Sequence, residues 1–156
     1  MIVDRIDKHI LVELQRNGSI SNLELADKVG LSASPCSRRV KALEDAGLIH
    51  KTVTLLDEKK LGLTLTAIIS ISMDRHTPER FETFERAVAS YPEVQECLLI
   101  TGSTADYQLK VVVVDMEAYQ AFLLGKLTKI EGVTGVHSSF VMRKVVDSTA
   151  LPLEHL

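Results

Sequence analysis

The sequence predicts an α+β protein in two parts: an N-terminal three-helix, winged helix-turn-helix unit, then a part of βαββαβ order. Three observations lead there. Residues 1–50 repeat apolar positions at helical spacing between capping and stop signals. From Leu61 the rhythm changes to short period-two runs that alternate with two helical stretches. Charge divides at nearly the same place, with ten Lys/Arg against nine Asp/Glu in residues 1–60 and eight against twelve in residues 61–156.

In the first part, Asp4 with Asp7 three residues on is suited to cap a helix that places Ile6, Ile10, Leu11 and Leu14 on one face. Asn17-Gly18 ends it, the glycine being expected in the left-handed C′ conformation. Ser21 and Glu24 form the next capping box, and Leu23, Leu25, Ala26 and Val29 give a short helix stopped at Gly30. A third helix begins after a few residues, with Ser32 or Ser34 as cap, Pro35 in its first turn and Gly47 at its end. A short helix, a tight turn and a second amphipathic helix, preceded by a supporting helix, is the helix-turn-helix pattern. The following "LIHKTVTLLD" alternates like a short strand or wing, and the charged, glycine-broken "DEKKLGL" (57–63) reads as a linker.

In the second part, "TAIISISM" (66–73), "VQECLLIT" (94–101), "YQLKVVVV" (107–114) and "VHSSFVM" (136–142) read as strands. Thr77-Pro78 opens a helix with Phe81, Phe84 and Val88 on one side. Asp115 caps another, carrying Tyr119, Phe122, Leu123, Leu127 and Ile130 and ended by Gly132. This order is the ferredoxin-like plan. The boundaries that result are a helix-turn-helix domain at 1–50, a wing or linker at 51–65, a ferredoxin-like domain at 66–146 and a C-terminal tail at 147–156. Helices cover only one face of such a sheet, yet Val111, Val112, Val113 and Val114 occupy both faces of the third strand. Cover on both sides is therefore expected, from a second copy in at least a dimer, or otherwise from loops.

Composition narrows the function. The chain has 156 residues, 46% of them apolar, and a net charge of −3, so any nucleic-acid contact must come from local placement in the first sixty residues. An uncharged apolar run of eighteen residues is lacking, and the amino terminus is charged from Asp4, so neither a membrane span nor a secretory signal is expected. Cys36 and Cys97 lie far apart and read as free thiols of a cytoplasmic protein. His9, His50, His76, His137 and His155 are scattered, with no metal-ligand spacing, phosphate loop or nucleophile elbow. No enzyme activity, metal or cofactor is expected.

The helix at residues 34–46 carries the sharpest signal. Cys36, Val40 and Leu43 share one face, whereas Ser34, Ser37, Arg38 and Lys41 take the other, with Arg39 at its flank, where it is expected to contact the nucleic-acid backbone. Arg suits bidentate bonds to guanine edges or phosphates, Lys supplies a mobile charge and Ser gives short polar contacts. The acidic Glu44 and Asp45 come only at the far end, and in a helix-turn-helix the N-terminal part of the second helix enters the groove.

The blocks "DRIDKHILVELQRNGSISNLELADKVGLS" and "SPCSRRVKALEDAGLI", the "LLDEKKLGL" linker, and "VQECLLITGSTADYQLKV" with "DMEAYQAFL" resemble the Lrp/AsnC family of transcription regulators over nearly the whole chain. That resemblance implies double-stranded DNA as a partner, a small amino-acid effector such as leucine or methionine, and homodimers that assemble further, for example into octamers. It also implies an effector site around the connection between the second and third strands, here Thr101, Gly102, Ser103, Thr104, Asp106 and Tyr107. Gly102 frees the backbone for close approach, successive N–H groups suit a carboxylate, and Asp106 suits an α-ammonium. The common family form has an acidic residue directly after the glycine and two residues before the Asp-Tyr pair. This chain has Ser103 there and three residues, Ser103, Thr104 and Ala105, in between. The alternative expectation is a ligand-independent DNA-organising protein of the same fold.

Overall fold

The structure is a computed structural model that describes residues 2–102 and 104–156. The chain divides into two compact units, residues 1–55 together with 146–156, and residues 56–145.

The first unit is built on three helices, α1 (Arg5–Arg16), α2 (Asn22–Val29) and α3 (Ala33–Asp45). Both predicted capping boxes are present. Asp4 accepts from the Ile6 and Asp7 N–H groups while Asp7 reaches back to Asp4, and Ser21 and Glu24 do the same for α2. Gly30 adopts φ 73 as the left-handed stop of α2. Ile10, Leu25, Ala26, Val29, Cys36 and Leu43 form the core between the helices, with Ile10, Cys36 and Leu43 fully buried. Leu23 of the same helix is 72% exposed.

Three local expectations are corrected. Gly18 is not left-handed; a Cβ there would lie 2.8 Å from Thr52 Cγ2, so any larger residue would have to displace that side chain. Ser32 is the N-cap of α3 but makes no side-chain capping bond. Residues 51–57 form no strand, since no segment of the described chain pairs with them, and Val53, Leu55 and Leu56 stay exposed. The end of the chain runs back along α1: Gln15 Nε2 donates to Leu151 O at 3.2 Å, the Leu151 N–H donates to Gln15 Oε1 at 2.6 Å, and Lys8 Nζ donates to Leu156 O at 3.3 Å.

The second unit contains β1 (Leu65–Met73), α4 (Pro78–Ala89), β2 (Val94–Leu99), β3 (Tyr107–Val113), α5 (Met116–Gly125) and β4 (Val133–Phe140). The strands form one antiparallel sheet in the order β2-β3-β1-β4, which is the predicted βαββαβ plan. Ala67, Ile69 and Ile71 of β1 alternate onto one face with Tyr107, Leu109 and Val111 of β3, where Phe84 and Val88 of α4 and Tyr119 and Phe122 of α5 cover them. The second helix is shorter than predicted. It ends at Gly125, and Leu127–Lys129 form a single 3-10 turn, because the glycine weakens the helix there. Of the valine run, Val111, Val112 and Val113 are buried within the chain and Val114 is 49% exposed. Residues 58–62, expected as linker, form a turn whose Glu58 pairs with Lys144 at 2.9 Å.

Candidate DNA-contacting face and effector turn

In α3 the helical period sorts the side chains as predicted. Cys36 and Leu43 are fully buried, while Ser34, Ser37, Arg38 and Lys41 are exposed on the opposite side. Lys41 Nζ lies 3.3 Å from Asp45 Oδ1 in an exposed pair. Such a pair holds weakly in water and yields to a phosphate at little cost. Asn22, the first residue of α2, donates from Nδ2 to Ala33 O at 2.8 Å and so fixes the turn that delivers α3.

Arg39 behaves differently from its neighbours. Its Nη1 donates to Asp4 Oδ2 at 2.7 Å and to Asp7 Oδ1 at 2.8 Å, both on the N-terminal turn of α1. The Asp7 side chain is only 5% exposed, so its counter-charge comes from Arg39. A second buried carboxylate, Glu13, joins α1 to α2 through Lys28 at 3.3 Å and also pairs with Arg16 at 2.9 Å. Neither Asp7 nor Glu13 was singled out in the sequence as a buried anion. Arg39 and Lys28 lie on other helices, so only the local spacings of Asp7 to Asp4 and of Glu13 to His9 and Arg16 are visible in the sequence.

The connection between β2 and β3 is the predicted effector turn. Thr101, Gly102 and Thr104 are exposed, and Gly102 has φ 80; Ser103 lies outside the described residues. The base of the turn is pinned to the sheet. The Ile100 N–H donates to Asp106 O at 2.9 Å, the Asp106 N–H donates to Ile71 O at 2.8 Å, and Ser72 Oγ donates to Thr104 O at 3.3 Å. Asp106 Oδ2 accepts the Met73 N–H at 2.7 Å, and Oδ1 lies 2.7 Å from His76 Nε2. This carboxylate thus has partners of its own chain on both oxygens.

Tyr107, the last residue of the predicted set, faces the helix side of the sheet and is 1% exposed. Its hydroxyl donates to Glu85 Oε1 at 2.7 Å, and its ring lies 4.4 Å from that of Phe84, centroid to centroid. Burial, and then Glu85, push its phenol well above the ordinary range. Beside it an open groove of about 490 Å³ runs between α4 and β2, lined by Glu85, Val88, Val94, Cys97 and Leu99 among others. Among the described residues of the predicted effector set, Tyr107 alone lines this groove. Glu85 was missed in the sequence because one carboxylate on an amphipathic helix reads as surface. Among the described residues no cluster of His, Cys, Asp or Glu could hold a metal ion, and no helix is long and apolar enough to cross a membrane.

Comparison with known proteins agrees with both units. Residues 3–50 match the winged helix-turn-helix DNA-binding family, and residues 66–151 match the Lrp/AsnC ligand binding domain. The chain is 40% identical over 156 residues to transcriptional regulator AzlB of Bacillus subtilis, spanning 100% of this chain and 99% of that one. It is 41% identical over 152 residues to the leucine-responsive regulatory protein of Escherichia coli, spanning 97% of this chain and 92% of that protein. Among solved structures, a transcriptional regulator of Neisseria meningitidis in complex with L-Met superposes with a TM-score of 0.95 at 40% identity, covering 99% of each chain. An AsnC family regulator of Agrobacterium tumefaciens does so at 0.92 and 39%, covering 98% of this chain and 99% of that one. A DNA-binding helix-turn-helix unit and a ligand-binding unit on one chain define a ligand-responsive transcription regulator. The chain belongs to the Lrp/AsnC family.

Proposed function

We propose that this protein is a cytoplasmic transcription regulator, without enzymatic activity or a metal cofactor, that reads double-stranded DNA and responds to a small apolar amino acid of the methionine or leucine type. The observation that supports this reading best is the full-length likeness to the Neisseria meningitidis regulator solved with L-Met, at 99% coverage of both chains. In this reading Ser34, Ser37, Arg38 and Lys41 of α3 meet base edges and phosphates, a role for which their shared exposure on one helix face suits them. The effector lies against the turn of Thr101, Gly102, Ser103 and Thr104, where backbone N–H groups take its carboxylate. Asp106 ties that turn to the sheet through the Met73 N–H, and Tyr107 anchors the start of β3 to α4 through Glu85.

The functional species is at least a homodimer, with assembly into larger forms such as octamers. Support comes from the sheet face opposite the helices, where Ile68 is partly exposed and Leu98 is 45% exposed, although Val112 on that face is already buried within the chain. An effector that binds one assembly more tightly than another shifts the balance by its differential affinity, commonly about 1–3 kcal/mol.

A thermal-shift screen of the twenty amino acids tests the effector assignment. One or a few apolar amino acids are expected to raise the melting temperature, since a ligand at 100 times its Kd stabilises by about 2.7 kcal/mol. Absence of any shift would favour the ligand-independent DNA-organising role. Sedimentation at micromolar concentration tests assembly, and a stable monomer would overturn it.

A further inference from the structure

The third helix of the DNA-binding unit, α3, carries two adjacent arginines that the fold treats in opposite ways. Arg38 is exposed with Ser34, Ser37 and Lys41. Arg39 lies three residues after Cys36 and four before Leu43, both fully buried, so the helical repeat turns it toward the inner side of α3. It meets the N-terminal turn of α1 there, with Nη1 between Asp4 Oδ2 at 2.7 Å and Asp7 Oδ1 at 2.8 Å.

Resting on the DNA-binding reading above, we propose that Arg39 is a positioning residue for DNA recognition: it locks α3 to the start of α1 and sets where the exposed face stands, and it neutralises no phosphate. The reason lies in what a move to DNA would leave behind. The Asp7 side chain is 5% exposed, and water cannot replace the lost cation at a buried carboxylate. A phosphate in exchange for two carboxylates, one of them buried, is a poor trade for a guanidinium. The two arms of the lock also differ in a useful way. Asp4 is the N-cap of α1 and is half-exposed at its carboxylate; Oδ1 accepts the Ile6 and Asp7 N–H groups and Oδ2 takes Arg39. Asn caps helices as well as Asp does, so Asp4→Asn keeps the cap while removing the charge and the acceptor that face Arg39.

This gives a test in which the competing roles have opposite signs. The probe is a fluorescein-labelled duplex selected from a random pool by the wild-type protein, and its affinity is measured by anisotropy at several salt concentrations. If Arg39 positions α3, Asp4→Asn weakens binding, by about three- to tenfold, while the slope of log affinity against log salt stays as in wild type. Arg39→Gln weakens it further, again at constant slope, and Arg39→Lys restores part of the loss because an ammonium keeps the charge but lacks the rigid, planar reach of the guanidinium. Arg38→Ala, in contrast, lowers the slope by about one, as loss of a phosphate contact should. Asp27→Asn, an exposed change of equal charge on α2, controls for the long-range field. The proposal is overturned if Asp4→Asn tightens binding beyond that control, or if Arg39→Gln lowers the slope by about one. Circular dichroism at low temperature confirms folding; should Arg39→Gln fail to fold, Asp4→Asn carries the test alone. A wild-type protein that enriches no duplex from the pool would overturn the DNA-binding reading itself, a result distinct from any shown by the variants.

Discussion

Asp106 closes the end of a strand 33 residues away: its Oδ2 accepts the backbone N–H of Met73 at 2.7 Å. The turn that precedes β3 is thereby tied to the last residue of β1, and His76 stands on the other carboxylate oxygen. Asp106→Ala leaves the Met73 N–H without its charged acceptor, and the expected loss is about 1.5–3 kcal/mol of stability. Asp106→Asn keeps an acceptor and should lose less. Chemical denaturation measures both, and a parallel amino-acid titration should show the effector response falling with the anchoring of the turn.

Acid should weaken the DNA-binding unit through Glu13. Burial pushes this carboxyl up, but the Lys28 hydrogen bond, with the charges of Lys28, Arg16 and His9, outweighs burial and leaves it below the ordinary range. A group whose folded value is depressed gives stability that is present above its unfolded value and is lost as pH falls through the folded one. Asp4, lowered first by the Asp7 N–H and then by Arg39, and Glu24, lowered by Ser21, act in the same direction. Urea midpoints followed by helical circular dichroism should therefore fall as pH drops below about 4.3, the unfolded glutamate value. Glu13→Gln should flatten that fall, and an unchanged profile would contradict the assignment.

Both thiols should be slow to react. Burial, then the charge of Glu85, push Cys97 up to about 11, and burial raises Cys36, which has no exposed surface. Near neutral pH each is a protonated thiol, whereas the thiolate is the nucleophile. Mass spectrometry after iodoacetamide treatment should find the native protein largely unmodified and the urea-unfolded protein modified at both positions. Rapid native labelling at Cys97 would mean that the groove between α4 and β2 activates it.

Cavities should report on the two cores separately. Leu43 and Phe84 are both fully buried, one in each hydrophobic cluster. Leu43→Ala should cost about 2–5 kcal/mol and Phe84→Ala about 3–5 kcal/mol. The first should impair DNA binding more than amino-acid binding, and the second the reverse, as anisotropy and thermal-shift titrations of the same preparations would show.

What could be seen in the sequence was what short-range physics decides. The Asp4–Asp7 and Ser21–Glu24 boxes, the stop at Gly30, and the inward Cys36 and Leu43 all follow from residues within four positions of each other. The strand order follows from period-two runs and the helices between them. Errors arose where a distant segment decides. Gly18 sits under the Thr52 side chain, and residues 51–57 alternate like a strand but pair with no strand among the described residues. The site was legible to the same depth. The exposed face of α3 could be drawn from a helical wheel, whereas the partners of Arg39 lie 35 and 32 residues away. The turn at Gly102 could be located, but the engagement of Asp106 by Met73 and of Tyr107 by Glu85 could not, since both bonds join separate elements.

The pairing of Gln15 with Leu151 places the carboxyl end of the chain in the DNA-binding unit, so residues 56–145 are in topological terms an insertion within that unit. Chains cut short after β4 would keep the whole ligand-binding sheet and lose part of the DNA-binding unit instead.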